Sequence, residues 1–326
     1  MQAAWYAAIG SAEEVLHVGE IDDPSPLVGE VLVEIKTSGV NPSDVKTRAG
    51  ARGELQFPRI IPHSDGGGII IKVGEGVSED RVGERVWIWN GAFGRAHGTC
   101  AEQMALPSSQ AIAMSENVSF ETAACLGIPA ATAYYGVFSD GSVEDQTILI
   151  TGGAGSVGNL GIQLAKWSGA DVISTVSSDD KATVAKAAGA DLVVNYKTDN
   201  VIEAVNDFTK GQGVDRILEV EFGGNLSVSE QVIKNNGVIA AYGSVAEANP
   251  SLPFYNLMFK GVKLNTYLIY IVSEKDRADI NKGITSALSD NVLTPIIAES
   301  FNLSEIINAH QSLEEGSVIG NVVINI

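Results

Sequence analysis

Cysteine is nearly missing from this chain: Cys100 and Cys125 are the only two among 326 residues. Two scattered thiols build neither a disulfide framework nor a tetrahedral thiolate site, and both are expected to be small buried hydrophobes in a reducing compartment. Basic residues are also scarce. Against 40 Asp and Glu stand 21 Lys and Arg, a formal net charge of −19, which excludes the basic patches that nucleic acid and anionic membranes require. No window approaches the roughly 20 apolar residues of a membrane span. The opening MQAAWYAAIG lacks the basic region and apolar core of a signal peptide. The expectation is a cytoplasmic protein with neither membrane nor nucleic acid as partner. There is no internal repeat and no low-complexity linker.

What is present falls into two grammars. Hydrophobic residues make up 45% of the chain, ample for two cores, and a chain this long is expected to fold as two domains of about 150 residues each. Residues 1–122 alternate in short runs such as VLVEIKTSGV, GGGIIIKVG and RVGERVWIW, separated by Gly, Pro and Asp, which reads as antiparallel strands of a barrel-like domain. From 123 the period changes. Helical patterns at 121–138, 157–167, 180–188, 201–209 and 225–235 alternate with strands at 147–151, 171–176, 191–194, 214–219 and 237–242, the βαβ pattern of a parallel sheet. A helix is expected at 275–289, then strand-like pieces at 296–301 and 321–326 around a helix at 303–314. The fold class is α/β, with 123–295 as one domain, and 296–326 rejoining 1–122 as the other.

The most specific stretch is ILITGGAGSVGNLGIQLAK. Gly153, Gly155 and Gly158 stand in G-x-G-x-x-G spacing directly after an apolar run and at the start of a helical pattern. The first glycine is expected to allow the tight turn, the second to let the backbone approach a pyrophosphate, and the third to let helix pack on strand. Ser156, Val157 and Gly158 open the helix, whose N-terminus offers N–H groups and partial positive charge to phosphates. The end of the second strand bears on which dinucleotide is held. An NAD site places Asp or Glu there for the ribose 2′-hydroxyl. Here Ser177 and Ser178 occupy the strand end, leaving room for a 2′-phosphate, and Lys181 is placed to supply countercharge, which favours NADPH. The alternative stays open that Lys181 is a solvated helix lysine and that Asp179, as N-cap of helix 180–188, reaches the ribose instead.

The succession SGVNPSDVKTRAG, PHSDGGGIIIKVGEGV, GERVW, AACLGIPAATAYYGV, ILITGGAGSVGNLGIQLAK, KAAGADLVVNY, GVIAAYGS and IGNVVINI resembles the medium-chain dehydrogenase/reductase superfamily over nearly the whole chain. Within it, the resemblance is to the zeta-crystallin-like NADPH:quinone oxidoreductases. It implies a GroES-like catalytic domain plus a Rossmann domain, an active site in the cleft between them, and a homodimer, for which Val262–Ile271 is an apolar candidate edge. Zinc-dependent members hold a catalytic metal with Cys, His and Cys or Asp. The matching places here are Asn41, Ser64 and Ile128, with His63 one residue displaced, so a metal-free enzyme is expected. Without a Lewis acid, an alcohol or simple ketone is hard to polarise, whereas quinones and conjugated enones take hydride into a delocalised system.

Further positions follow from the resemblance. Asn41 corresponds to the family's active-site asparagine, with its amide placed to donate to the substrate oxygen; as Asn-Pro it is equally a turn residue. Asp44 and Arg48, at i and i+4, are expected to pair. Lys46 replaces a tyrosine common in the quinone reductases; for the enoyl-thioester alternative, Lys46 or a tyrosine in the cleft is the candidate proton donor. Thr132 corresponds to the threonine beside the nicotinamide and Tyr196 to the tyrosine near the adenosine phosphate. Gly243 and Ser244 close a strand at its ligand-binding end, and Leu268 and Ile269 correspond to carboxamide contacts. Asn321 replaces the usual lysine of the terminal motif, which weakens one phosphate contact. Trp89, Asn90 and Phe93 fall in a loop expected to roof the cleft, where rings can stack on a flat substrate, with barrel packing the alternative role for Trp89. The expected activity is hydride transfer from NADPH to a quinone or α,β-unsaturated carbonyl. The alternatives are an enoyl-thioester or alkenal reductase, and a non-catalytic dinucleotide-binding protein with a structural or regulatory role.

Overall fold

Period-2 runs broken by glycine give the first third little choice but strands. A computed structural model describes all of Met1–Ile326, which divide into one unit of Met1–Ile128 with Pro295–Ile326 and a second of Pro129–Thr294. The divisions fall at Ile128/Pro129 and Thr294/Pro295, against the expected 122/123 and 295/296. In the first unit β1 (Gln2–Trp5) and β2 (His17–Glu20) form an antiparallel pair, with the short helix α1 (Ala12–Val15) between them. There follow β3 (Glu30–Val40), α2 (Pro42–Arg48), β4 (Asp65–Val73), β5 (Arg85–Ile88), β6 (Gln103–Pro107), β7 (Ala111–Ala113) and α3 (Phe120–Ala123). Val31, Val33, Ile35, Ile70, Val86, Ile88, Met104 and Leu106 fill the core that this sheet encloses.

The expected single helix over 121–138 is interrupted. Pro129 has no N–H to donate and its ring crowds the preceding turn. The chain accommodates it with a wide helical turn at Leu126–Ala130 before α4 (Ala131–Phe138) begins. The second unit then alternates: β8 (Thr147–Thr151), α5 (Ser156–Trp167), β9 (Asp171–Val176), α6 (Asp179–Ala187), β10 (Leu192–Asn195), α7 (Val201–Phe208), β11 (Val214–Glu219), α8 (Phe222–Val232), β12 (Ile233–Ala241), α9 (Phe254–Lys260), β13 (Lys263–Thr266) and α10 (Glu274–Ser289). The strands lie in the order β10-β9-β8-β11-β12-β13, every pair parallel. This doubly wound order reverses between β8 and β11, which marks their C-terminal ends as the ligand crevice of such sheets. Leu149, Ile173, Ile217 and Ile239 pack on one face, and Ile148, Ile150, Val172 and Leu218 on the other.

The chain returns to the first unit as β14 (Ile297–Asn302), α11 (Ile306–Glu314) and β15 (Asn321–Asn325). Strand β15 pairs antiparallel with β3, Val322 opposite Val40, so the C-terminal segment does rejoin the first sheet. That seven-stranded sheet runs β14-β15-β3-β4-β5-β7, with β6 also on β3. No helix is long and apolar enough to cross a membrane.

Candidate functional site

In the second unit, β8 delivers the chain to the glycine turn. The left-handed backbone falls at Gly152 (φ +70°), one residue before the glycine expected to carry it. Gly153 serves packing instead, since an added Cβ would lie 2.0 Å from Ser174 Oγ. Gly158 is closed off as well, its Cβ 2.3 Å from the Gly152 carbonyl oxygen, whereas a Cβ on Gly155 would find only that oxygen, at 3.4 Å. The middle glycine therefore borders open space while its neighbours are packed solid. Gly155 caps α5, and the first main-chain bond of the helix runs from the Asn159 N–H to the Gly155 carbonyl at 2.9 Å. The amides of Val157 and Gly158 thus lie in the first turn, where no intrahelical acceptor exists, with Ser156 leading them.

The rim beyond β9 differs in one detail from expectation. Ser178, not Asp179, caps α6, its hydroxyl accepting the Lys181 N–H at 3.4 Å. A serine hydroxyl bonds the third amide as well as a carboxylate does, and Asp179 and Asp180 point to solvent as the first helical residues. The Tyr196 N–H bonds the Val176 carbonyl at 3.0 Å, which sets Tyr196, 54% exposed, beside Ser177. Ser177, Ser178, Lys181 and Tyr196 therefore share the C-terminal ends of β9 and β10.

Further round the same unit, Gly243 packs on the Val220 carbonyl and accepts from the Phe222 N–H at 2.8 Å. The Ser244 hydroxyl is engaged within its own loop, accepting from the Gly223 N–H at 2.9 Å and donating to the Glu247 carbonyl. Thr132 is buried in α4 and its carbonyl accepts the Tyr267 hydroxyl at 2.8 Å. Leu268 is exposed and Ile269 buried. Sequence reasoning missed two residues that hold these positions. Arg277 donates to the Ile269 carbonyl at 2.6 Å. Glu219, fully buried at the end of β11, accepts from Thr151 Oγ1 at 2.8 Å, the Glu221 N–H at 2.7 Å and Asn225 Nδ2 at 2.9 Å, and burial pushes its carboxyl pKa up. It ties the end of β8 to the end of β11 where the strand order reverses. A carboxylate directly after the apolar pair Ile217–Leu218 was the available signal.

The first unit gathers its own polar corner. Strand β3 ends at Val40 and Asn41 caps α2, with Pro42 in the first turn where its missing N–H costs nothing. The Asn41 N–H donates to Asp44 Oδ2 at 2.8 Å, and Asn41 Nδ2 donates to Asp65 Oδ2 at 2.8 Å. Burial drives the Asp44 carboxyl up to about 7 against the opposing pull of the Asn41 N–H and the Arg52 charge. The expected Asp44–Arg48 pair does not form. Arg48 is fully buried and turns instead to the Gly10 carbonyl and to the Glu314 carboxylate of α11, because Asp44 is already bound as the capping carboxylate.

Lys46 lies on the exposed face of α2. Trp89 is half-buried, its Nε1–H on the Ser109 carbonyl at 3.2 Å, while Asn90 adopts φ +52° and Phe93 is 41% exposed. Asn321 is buried at the start of β15, with both its N–H and its Nδ2 donating to the Ile296 carbonyl, at 2.8 and 3.0 Å. Its amide closes the β14–β15 connection rather than reaching outward.

Ser64 and Ile128, the other places that resemble metal positions, are buried, and Ile128 has no donor atom. His63 turns from them, its Nδ1 on Ser38 Oγ at 2.9 Å and its Nε2 on His310 Nε2 at 3.0 Å. No group of three or more His, Cys, Asp or Glu side chains is arranged to hold a metal ion. Asn41, Ser64 and Ile128 include no Cys, His or carboxylate side chain.

A GroES-like β unit and a doubly wound parallel sheet with a glycine turn at its crevice define an oxidoreductase of the two-unit α/β class. The model for the alcohol dehydrogenase GroES-like domain matches residues 28–146, and that for the zinc-binding dehydrogenases matches residues 156–282. The chain belongs to the medium-chain dehydrogenase/reductase superfamily and is an enzyme. It is similar to a 2-methylene-furan-3-one reductase of Solanum lycopersicum, 29% identical over 100% of this chain and 79% of the relative. Among solved structures it resembles an Escherichia coli quinone oxidoreductase complexed with NADPH, 25% identical with a TM-score of 0.87 over 100% of both chains. An NAD-dependent alcohol dehydrogenase superposes with a TM-score of 0.88 at 29% identity, again over 100% of both chains.

Proposed function

We propose that this enzyme is an NADPH-dependent, zinc-independent reductase of quinones and α,β-unsaturated carbonyls. The observation that carries the reading is the occurrence in one chain of a strand whose C-terminal end offers Ser177, Ser178, Lys181 and Tyr196 with no carboxylate at Val176, Ser177 or Ser178 and of an Asn41 corner that has an amide donor and no metal-ligand set. The cradle fits a dinucleotide. Open space beside Gly155 admits a pyrophosphate, the first-turn amides of α5 meet its charge, and Lys181 meets a 2′-phosphate. Bound NADPH supplies hydride from its nicotinamide C4. On the acceptor side, the Asn41 amide donates to the oxygen on which charge grows, and a proton from solvent completes the two-electron reduction to hydroquinone or saturated ketone. A delocalised acceptor needs no Lewis acid, which separates this chemistry from that in the name of the alcohol dehydrogenase neighbour. The names of the tomato and E. coli relatives, one an enone reductase and one a quinone reductase, support the same acceptor class.

Lys46, exposed on α2, is the proton donor that an enoyl-thioester reductase would need at the α-carbon. A homodimer is part of the reading: β13 is the last strand of its sheet, with Leu264, Leu268 and Ile271 exposed along that stretch. Light scattering at the mass of one chain would remove the dimer. The decisive assay follows NADPH oxidation with 1,4-naphthoquinone, an alkenal and an enoyl thioester in parallel. Turnover with the first two and not the third is expected; tight NADPH binding without turnover on any acceptor would replace the reductase by a binding protein.

A further inference from the structure

We propose that Asp65 is the positioning residue of the active site: its carboxylate fixes the Asn41 amide with nitrogen, not oxygen, as the group offered to the acceptor. The inference rests on the reading of Asn41 given above and extends it to a residue that meets neither substrate nor cofactor. A side-chain amide is nearly symmetric in shape, and turned over it presents an acceptor where a donor is wanted. A carboxylate in its ionised form accepts only. With Asp65 Oδ2 2.8 Å from Asn41 Nδ2, the reversed amide would set oxygen against oxygen, so only one orientation is populated. The Asn41 side chain also bonds the Asp44 carboxyl, so the direction of the amide is fixed from two sides.

The clamp itself is rigid. The pairing of β3 with β4 puts Asp65 opposite Gly39, two residues before Asn41. Asp65 is fully buried, and its main-chain carbonyl accepts the Thr99 hydroxyl, which is bonded in turn to Ser38 Oγ at 2.7 Å. On the far side Gly127 walls the carboxylate in: a Cβ there would stand 2.4 Å from Asp65 Oδ1, 2.4 Å from the Ile88 carbonyl oxygen and 2.9 Å from the Trp89 Cα. Asn41 is held a second time through its own N–H on Asp44 Oδ2. Asn41 is thus anchored by two different carboxyl groups, its main chain by Asp44 and its side chain by Asp65 and Asp44, a level of constraint that a turn residue before proline does not need.

The test is a double-mutant cycle in the full-length enzyme with NADPH and 1,4-naphthoquinone, using Asp65→Asn, Asn41→Ala and the pair. Asp65→Asn keeps size and shape but lets the Asn41 amide adopt either orientation. It is expected to lower kcat/KM about tenfold or more while the Kd for NADPH stays within about twofold. In the Asn41→Ala background the same change is expected to cost less than about twofold, since there is no amide left to orient. Losses that multiply in the double variant would overturn the proposal in favour of a merely structural Asp65, as would full activity of Asp65→Asn beside an impaired Asn41→Ala. Full activity of Asn41→Ala would instead overturn the reading of Asn41 itself. A second measurement needs no turnover: the Asn41 Nδ2 hydrogens are expected to exchange slowly by NMR and to lose that protection in Asp65→Asn, and free exchange in the unaltered protein would sink the clamp.

Discussion

The glycine turn of the second unit and the Asn41 corner of the first are built alike in outline, each a strand end feeding a helix, and they work by opposite means. The turn between β8 and α5 is made by leaving things out: Gly152, Gly153, Gly155 and Gly158 have no side chains, and what remains is mostly backbone. The corner between β3 and α2 makes a site by crowding things in. Asn41, Asp44, Asp65, Thr99, Ser38, His63 and His310 are buried and mostly bonded to one another. A site made of backbone is robust to electrostatics and sensitive to volume; a site made of buried polar groups has the reverse sensitivities.

Volume should break the turn most severely. Gly158→Ala drives a Cβ into backbone atoms of Gly152 and Gly153 that cannot rotate away, and a loss of about 2 to 3 kcal/mol is expected in denaturant unfolding. Gly155→Ala, with nothing nearer than 3.4 Å, sharpens the point: stability is expected to change by less than about 1 kcal/mol, while NADPH binding measured by calorimetry weakens about tenfold or more.

Charge should break the corner. His310 is pushed down to about 3 by burial and by the Arg48 charge, and His63 is lowered by burial and by His310. An imidazole whose folded pKa lies below its unfolded value binds fewer protons when folded. Stability is therefore full above about 6.5 and falls as pH drops from there toward 3. About 1 to 3 kcal/mol should disappear between pH 7 and pH 4.5, and the double variant His63→Asn with His310→Gln should flatten that part of the curve. Asp44 has the opposite sign. Its folded pKa of about 7 lies above the ordinary 3.8, so the folded state holds the extra proton and stability falls as pH rises through that window. Asp44→Asn is expected to gain about 1 kcal/mol at pH 8 and nothing at pH 4. The smallest effect belongs to the rim: Lys181→Ala should weaken NADPH about threefold and leave NADH unchanged, and equal weakening of both would return the 2′-phosphate to another partner.

The same contrast explains what could be read from the residues alone. Glycine spacing and apolar period are local, so the parallel sheet, α5 and the strand end at Ser177 were legible, while the turn itself lay one residue earlier at Gly152. Helix boundaries slipped where a competing local group won, as Ser178 did over Asp179 and Pro129 over the continuous helix. Helix α9 was missed because it is only seven residues long and its apolar residues Phe254, Tyr255, Met258 and Phe259 lie exposed rather than on the core. The corner was scarcely legible at all. Asn41 was found only through family resemblance, and the i, i+4 spacing of Asp44 and Arg48 suggested a pair that burial and capping redirected to Glu314, far along the chain. Long-range polar networks leave no period in a sequence.

One topological fact, that β15 lies against β3 with Val322 opposite Val40, has a consequence for biosynthesis. The second unit is continuous in sequence, so a ribosome can release it and let it fold while translation is still under way. The first sheet must wait with its β3 edge bare until residues 321–325 emerge, and the strand left bare is the one that ends beside Asn41. The glycine turn is therefore free to form early, and the Asn41 corner is completed only after β15 has emerged.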